Sequence, residues 1–229
     1  MNKASNLLQA PTDPDPDCPI CPRLHDFIAQ WRIQEPDWFN APVPPFLPLD
    51  GRKTVRLLIV GLAPGLRGAN RTGRPFTGDY AGDLLYSTLI RFHLARGRFE
   101  ARPDDSLELI DTAIVNAVRC VPPQNKPTGP EITNCRAFLI PTIQSFPNLT
   151  AVLALGTIAH QSMVRTLGGK VSAHPFKHGG RYEIGGLTLF SSYHCSRYNT
   201  NTGVLTPEMF ASVFRDIADF LNIRPEQVF

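Results

Sequence analysis

No apolar run approaches the roughly 18 to 20 residues a membrane-spanning helix needs, so no membrane association is expected. The basic start and apolar stretch of a secretory leader are missing too. The first 22 residues are polar and carry Pro11, Pro14, Pro16, Pro19 and Pro22. A cytoplasmic location is the resulting expectation. Neither G-x-G-x-x-G nor G-x-x-x-x-G-K-S/T occurs, which removes support for a Rossmann cofactor site or a P-loop. No internal repeat or low-complexity tract is visible. Nor does charge of one sign dominate: 23 Lys and Arg against 20 Asp and Glu leave +3. Net charge alone therefore does not mark a nucleic-acid binder, although basic side chains can still cluster.

What is present describes an ordinary globular chain. Its 229 residues are 42% hydrophobic and 19% charged, enough for one domain over 1–229 with a sizeable core. The 22 prolines favour long ordered loops over long helices. Four short apolar runs, 55–60, 112–118, 151–155 and 187–192, read as buried parallel strands. Between them Ala81, Leu84, Leu85, Leu89, Phe92 and Ala95 recur at helical spacing, as do Ile132, Cys135, Leu139 and Ile143. Thr128 and Glu131 have capping-box spacing, and Thr206-Pro207 marks another helix start. Helices over 157–167 and 24–34 complete the pattern. Alternating strands and helices predict an open parallel sheet covered on both faces, with ligands beyond the carboxyl ends of its strands.

Five cysteines stand out. In a reducing compartment a disulfide framework is a poor reading. Cys18 and Cys21 form a C-x2-C pair among prolines, and Cys120 and Cys135 form a second, wider pair next to Pro122 and Pro123. Four such thiolates suit either a tetrahedral zinc ion or an iron–sulfur cluster, and spacing does not choose between them. Cys195, beside His194, has no evident partner. A catalytic thiol there lacks a third orienting group and an oxyanion motif.

The first strand runs into Gly61-Leu-Ala-Pro-Gly65, followed by a loop to Asp79. The stretch 61–79 holds five glycines and three arginines. Glycines allow backbone amides to approach a ligand closely. Asn116 sits near the carboxyl end of the second strand, and His194 follows the fourth. Taken singly, Asn116 reads as a satisfied core amide and His194 as structural. Together with Asp79 they converge on one edge of the predicted sheet, where a site is expected.

These residues together resemble the uracil-DNA glycosylases, most closely the iron–sulfur family 5. The resemblance runs from Cys18 to about Gly203. It is carried by Gly61-Leu-Ala-Pro-Gly65, Asn70-Arg-Thr-Gly-Arg-Pro-Phe-Thr-Gly-Asp79, Cys120-Val-Pro-Pro-Gln-Asn-Lys-Pro127 with Cys135, and His194 with 199–203. It implies a three-layer α/β/α sandwich around a four-stranded parallel sheet. It implies a four-iron, four-sulfur cluster held by Cys18, Cys21, Cys120 and Cys135, with a cluster-binding segment at about 1–30. It further implies a monomeric enzyme that flips uracil, or another deaminated base such as hypoxanthine, out of DNA and hydrolyses the N-glycosidic bond. Phe76 is then the stacking platform and Asn116 the reader of the base edge. His194 and the amides near Gly61, Leu62 and Ala63 stabilise the departing base, and Asp79 serves the water. Arg67, Arg71, Arg74 and Ser196 are expected to meet DNA.

Two departures qualify the resemblance. Leu62 and Ala63 stand where many such glycosylases carry an acidic or amide side chain. The second motif reads His194-Cys195-Ser196 instead of the usual His-Pro-Ser, which frees one φ angle and adds a backbone donor. A catalytically weak iron–sulfur DNA-binding or damage-sensing protein is the alternative. A zinc deaminase would need an H-x-E pattern beside its cysteines, and none accompanies Cys18 and Cys21.

Overall fold

The computed structural model describes residues 12–223. Residues 1–11, part of the expected cluster-binding segment, lie outside the described residues. In chain order the elements are α1 (Pro22–Gln34), β1 (Leu57–Gly61), α2 (Ala69–Thr72), α3 (Tyr80–Arg91), β2 (Ala95–Arg96), β3 (Glu108–Leu109), β4 (Thr112–Asn116), α4 (Gly129–Gln144), β5 (Ala151–Leu155), α5 (Thr157–Thr166), β6 (Gly180–Ile184), β7 (Leu187–Ser192), α6 (Arg197–Asn201) and α7 (Pro207–Phe220).

Every residue of β1, β4 and β5 is buried, as strands covered on both faces must be. Alternation divides β1 between two cores. Leu57 and Ile59 face Leu85, Leu89, Phe210 and Phe214, beneath α3 and α7. Leu58 and Val60 face Leu139, Ala159 and Met163, beneath α4 and α5. The result is the expected three-layer α/β/α sandwich.

The strand order is β4-β1-β5-β7-β6, so the sheet has five strands where four were expected. The first four pair in parallel, and β6 pairs antiparallel with β7 through the Gly185-Gly186 turn. Both glycines have positive φ, +60° and +80°, as a two-residue hairpin turn requires. The additional strand alternates buried and accessible residues at the sheet edge, so it lacks the continuous apolar run that marks the central strands. Among the described residues no helix is long and apolar enough to cross a membrane.

The start of α4 is tied to α1 by one carboxylate. Glu131 accepts the Thr128 N–H at 2.7 Å and a fork from Arg23 at 2.8 Å for each bond. These bonds, the Arg23 side chain first, hold the Glu131 carboxyl below its ordinary pKa. A depressed folded pKa adds stability above the unfolded value, and that stability is lost as pH falls through the folded one. Arg23 is 42% exposed, which screens the pair. Glu131→Ala is therefore expected to lower stability by about 1–2 kcal/mol at neutral pH. The deficit should shrink below pH 4, and denaturant titrations at both pH values measure it.

Candidate active site

The carboxyl ends of β1, β4 and β7 open into a cleft of about 730 Å³. Its walls include Leu62, Ala63, Phe76, Asp79, Asn116 and His194. The sequence-predicted catalytic and base-binding side chains thus meet in one place. Gly61 sits beneath Asn116 and Phe76.

Parallel register explains how the floor is made. Gly61 is paired with Asn116 across β1 and β4. A Cβ at Gly61 would fall 2.4 Å from Asn116 Oδ1 and 2.8 Å from the Phe76 ring. Only glycine leaves room for both. Beyond the strand, the Gly61 and Leu62 carbonyls accept the Ala117 and Val118 N–H at 2.9 Å each, pinning the start of the loop. The loop then returns through α2 to Asp79, the N-cap of α3, whose carboxylate accepts the Ala81 N–H at 3.2 Å. Gly65 and Gly68 lie under that carboxylate: a Cβ on Gly68 would come within 2.5 Å of Asp79 Oδ2.

Phe76 is 7% exposed and has φ +52°, an unusual conformation for a bulky residue. Its ring stacks towards His194, with centroids 5.8 Å apart and planes 26° from parallel. Burial lowers the His194 pKa to about 4, so its imidazole is neutral at physiological pH. Asp79, exposed at the cleft rim, moves in the opposite sense, raised from its ordinary value by desolvation. The Ala81 and Gly82 amides and the nearby Asp83 are smaller influences on it. His194 is fixed from behind, because Asn199 Nδ2 donates to its carbonyl at 2.8 Å.

Cys195 is fully buried, and its thiol donates to the Ala81 carbonyl at 3.4 Å. Ser196 caps α6, its Oγ accepting the Asn199 N–H at 3.4 Å. Arg67 and Arg71 are exposed. Arg74 is a correction. It is 6% exposed, and its guanidinium is forked onto Asp105 at 2.8 Å for each bond. A side chain locked inside that pair has no reach to a phosphate. Tyr80 and Arg197, which the sequence reading passed over, also line the cleft, with the guanidinium 5.1 Å from the ring centroid. Their adjacency to Asp79 and Ser196 was the available signal.

A second, small hollow lies between the start of α1 and the start of α4. Cys18, Cys21, Cys120 and Cys135 all line it, with Leu24, Val118 and Phe138. Burial raises the Cys120 thiol to about 12 and the Cys135 thiol to about 11. Main-chain and side-chain N–H groups point at the sulfurs: Arg119 N lies 3.3 Å from Cys135 Sγ, and Asn134 Nδ2 lies 3.6 Å from Cys21 Sγ. The Arg119 guanidinium is buried beside them and donates to Thr142 Oγ1 at 3.0 Å and the Val43 carbonyl at 3.3 Å. Soft donors in an apolar pocket, with N–H groups aimed at sulfur, fit a metal centre that takes thiolates.

The sequence profile of the Uracil DNA glycosylase superfamily matches residues 48–218. A type-5 uracil-DNA glycosylase of Thermus thermophilus is 42% identical, over 87% of this chain and 91% of that protein. One from Pyrobaculum aerophilum is 37% identical over 88% of each. One from Mycobacterium tuberculosis is 38% identical over 90% of this chain and 79% of that protein. A type-4 uracil-DNA glycosylase of Pyrobaculum aerophilum is only 28% identical over 77% of this chain. The chain belongs to the uracil-DNA glycosylase superfamily, within its type-5 group.

The electrostatics of the cleft carry a measurable consequence. His194 binds a proton near pH 4 when folded and near its ordinary value of about 6.5 when unfolded. Between those values the unfolded state binds more protons, so stability falls as pH falls through that window. Burial lowers His160 and His178 too, adding to the same slope. His194→Asn is expected to flatten the slope between pH 6.5 and 4 in part. Stability measured at several pH values reads this directly, and an imidazole NMR titration should place the His194 midpoint near 4.

Proposed function

We propose that this type-5 superfamily member is a DNA repair glycosylase. It takes uracil out of the helix into the cleft and hydrolyses its N-glycosidic bond, leaving an abasic site. The observation that carries the reading is the meeting of Phe76, Asn116, His194 and Asp79 in one cleft, with Gly61 beneath the first two. A base within a duplex cannot be attacked in place, so it must first be flipped. In the cleft Phe76 stacks on the ring, and the Asn116 amide supplies one donor and one acceptor to its O4 and N3–H edge.

When the bond between C1′ and N1 breaks, its electron pair leaves with the base and charge collects on O2. The neutral imidazole of His194 donates to that oxygen, helped by the amides near Leu62 and Ala63. Neutrality suits this role, because the donor keeps its proton and no imidazolium need be sustained in an apolar wall. The sugar becomes cation-like at C1′. Asp79 lines the same cleft, and its carboxylate steadies that charge and directs the water that adds to C1′, whose proton passes to the departed base anion. Leu62 and Ala63 put no polar side chain at the first motif, which supports acceptance of other deaminated bases such as hypoxanthine. Arg67, Arg71 and Ser196 are the proposed phosphate contacts. The enzyme acts as a single-domain monomer.

The four cysteines hold a four-iron, four-sulfur cluster in this reading. Four thiols lining one hollow support a metal centre, and the likeness to the type-5 glycosylases supports a cluster over a single zinc. The cluster's own contribution is a covalent cross-link between the N-terminal segment and the Cys120–Cys135 stretch.

Incubation with a duplex containing one uracil tests the activity: an alkali-labile abasic site is expected, and an inert, folded, metal-loaded protein overturns the reading. Removing one donor to a developing anion costs roughly 100- to 1000-fold in rate. His194→Ala is expected to lose that much under single-turnover conditions, and at least as much as Asp79→Ala, because water can add after the base has left. An Asp79→Ala loss many times larger would transfer the main burden to the carboxylate.

For the metal centre, iron and sulfide analysis with visible absorbance should show a cluster in the purified protein. Cys135→Ala should lose both and melt earlier, since ligand binding and folding are coupled. Cys195→Ala should keep its iron.

A further inference from the structure

We infer that Asp105 is a positioning residue for Phe76: held in the ion pair with Arg74, it fixes the height of the slot that receives the flipped base. The inference rests on Phe76 being the stacking platform proposed above.

The backbone around Phe76 is clamped on both sides. Arg74 Nη1 and Nη2 donate to the two oxygens of Asp105, and Arg74 Nε donates to Thr77 Oγ1, each at 2.8 Å. The Thr77 hydroxyl in turn donates to the Pro75 carbonyl at 3.2 Å, and that carbonyl also accepts the Tyr86 hydroxyl. Thr72 Oγ1 donates to the Thr77 carbonyl at 3.1 Å. The residues before and after Phe76 are therefore both fixed. Phe76 is left at φ +52°, which a bulky L-residue does not adopt unless its surroundings impose it.

Asp105 is the origin of this clamp. Its side chain has no exposed surface, and its oxygens also accept the Glu100 N–H at 2.9 Å and the Leu107 N–H at 3.1 Å. All its partners are fixed backbone or the planar Arg74 fork. Around the guanidinium stand Phe46, Tyr86 and Phe99, with ring centroids 5.1, 5.7 and 5.8 Å away. A desolvated ion pair of this kind is a weak source of net stability, yet breaking it leaves a buried charge that must move. The route by which it can move passes through Thr77 and Pro75 to Phe76. The ring has little slack, since it packs on Gly61 and against His194. Helix α3 also makes room for the strained turn: a Cβ on Gly82 would strike the Phe76 carbonyl at 2.1 Å.

The experiment compares Asp105→Asn, Arg74→Lys and Phe76→Ala with the parent, all loaded with metal, on uracil and hypoxanthine duplexes under single-turnover conditions. Asp105→Asn keeps the shape of the side chain and removes its charge. Arg74→Lys keeps the charge balanced and removes the fork, so it serves where Asp105→Asn does not fold. A displacement of about 1 Å at a reacting group costs up to about 100-fold, so a 10- to 100-fold fall in the maximal excision rate is expected. Affinity for undamaged duplex should be unchanged, and the ratio of uracil to hypoxanthine rates should shift. A merely less stable enzyme would instead show a smaller active fraction turning over at the parental rate, and that result overturns the inference. So does a folded variant with parental rates and an unchanged ratio. If Phe76→Ala itself excises at the parental rate, the stacking role fails first. If only Phe76→Ala is slow, that role stands and the Asp105 clamp falls.

Discussion

A Cβ at position 61 would lie 2.4 Å from Asn116 Oδ1 and 2.8 Å from the Phe76 ring, closer than real Cβ atoms come to their neighbours. The space left by that missing atom is what lets two side chains from distant parts of the chain share one floor. Asn116 arrives there because parallel pairing brings its strand end level with Gly61. Phe76 arrives by a loop that must turn back on itself, and it does so at a positive φ held by its neighbours. The same economy of space recurs at Gly68, where the backbone passes directly beneath the Asp79 carboxylate. The glycines of the loop are thus spacing elements, and their positions match the side chains that lie over them.

Crowding also sets the electrostatics. Desolvation of the partly buried His194 keeps it neutral, and desolvation raises the Asp79 carboxyl, which stays exposed at the cleft rim. The two shifts have one cause, desolvation, and opposite signs because one group is charged when protonated and the other when deprotonated. In the proposed reaction, a neutral donor facing a developing anion and a carboxylate facing a developing cation form a charge pattern that matches the breaking bond more closely than the intact base. Interactions that strengthen only as charge separates are the ones that accelerate a reaction.

The central strands were legible because burial on both faces leaves an uninterrupted apolar run, as at 57–60 and 151–155. The edge strand was not, because residues such as Arg181 and Glu183 keep one face of it wet. Asp79, Asn116 and His194 were legible as a group, since strand ends in a parallel sheet face the same way. Arg74 was misplaced for a physical reason. Sequence reports its charge and its neighbours Arg67 and Arg71, but it does not report that Asp105, between β2 and β3, pairs with it in the interior. The φ of Phe76 was equally invisible, because nothing about a phenylalanine announces a left-handed backbone.

The His-Cys-Ser departure and the cysteine hollow share one theme, the holding of loops from behind. Where a proline would have stiffened the turn after His194, Cys195 is buried and its thiol reaches the Ala81 carbonyl, joining that turn to the first turn of α3 just beyond Asp79. The rigidity lost with the ring is met by a contact between the segments that carry His194 and Asp79. The cysteine hollow acts at longer range. It lies at the start of α1, and the far end of that helix is fastened to the glycine-rich loop. Asn40 Nδ2 donates to the Trp31 and Glu35 carbonyls at 3.2 and 2.7 Å, while its Oδ1 accepts from Asn70 Nδ2 at 2.8 Å. Asn70 lies fully buried inside a long, specific sequence motif and does not itself line the cleft; its N–H donates to the carbonyl of Gly65, which does, at 3.1 Å. Its place in that motif follows from anchoring. Through Asn40 and Asn70 the end of α1 is thus tied to the loop that carries Phe76 and Asp79 into the cleft.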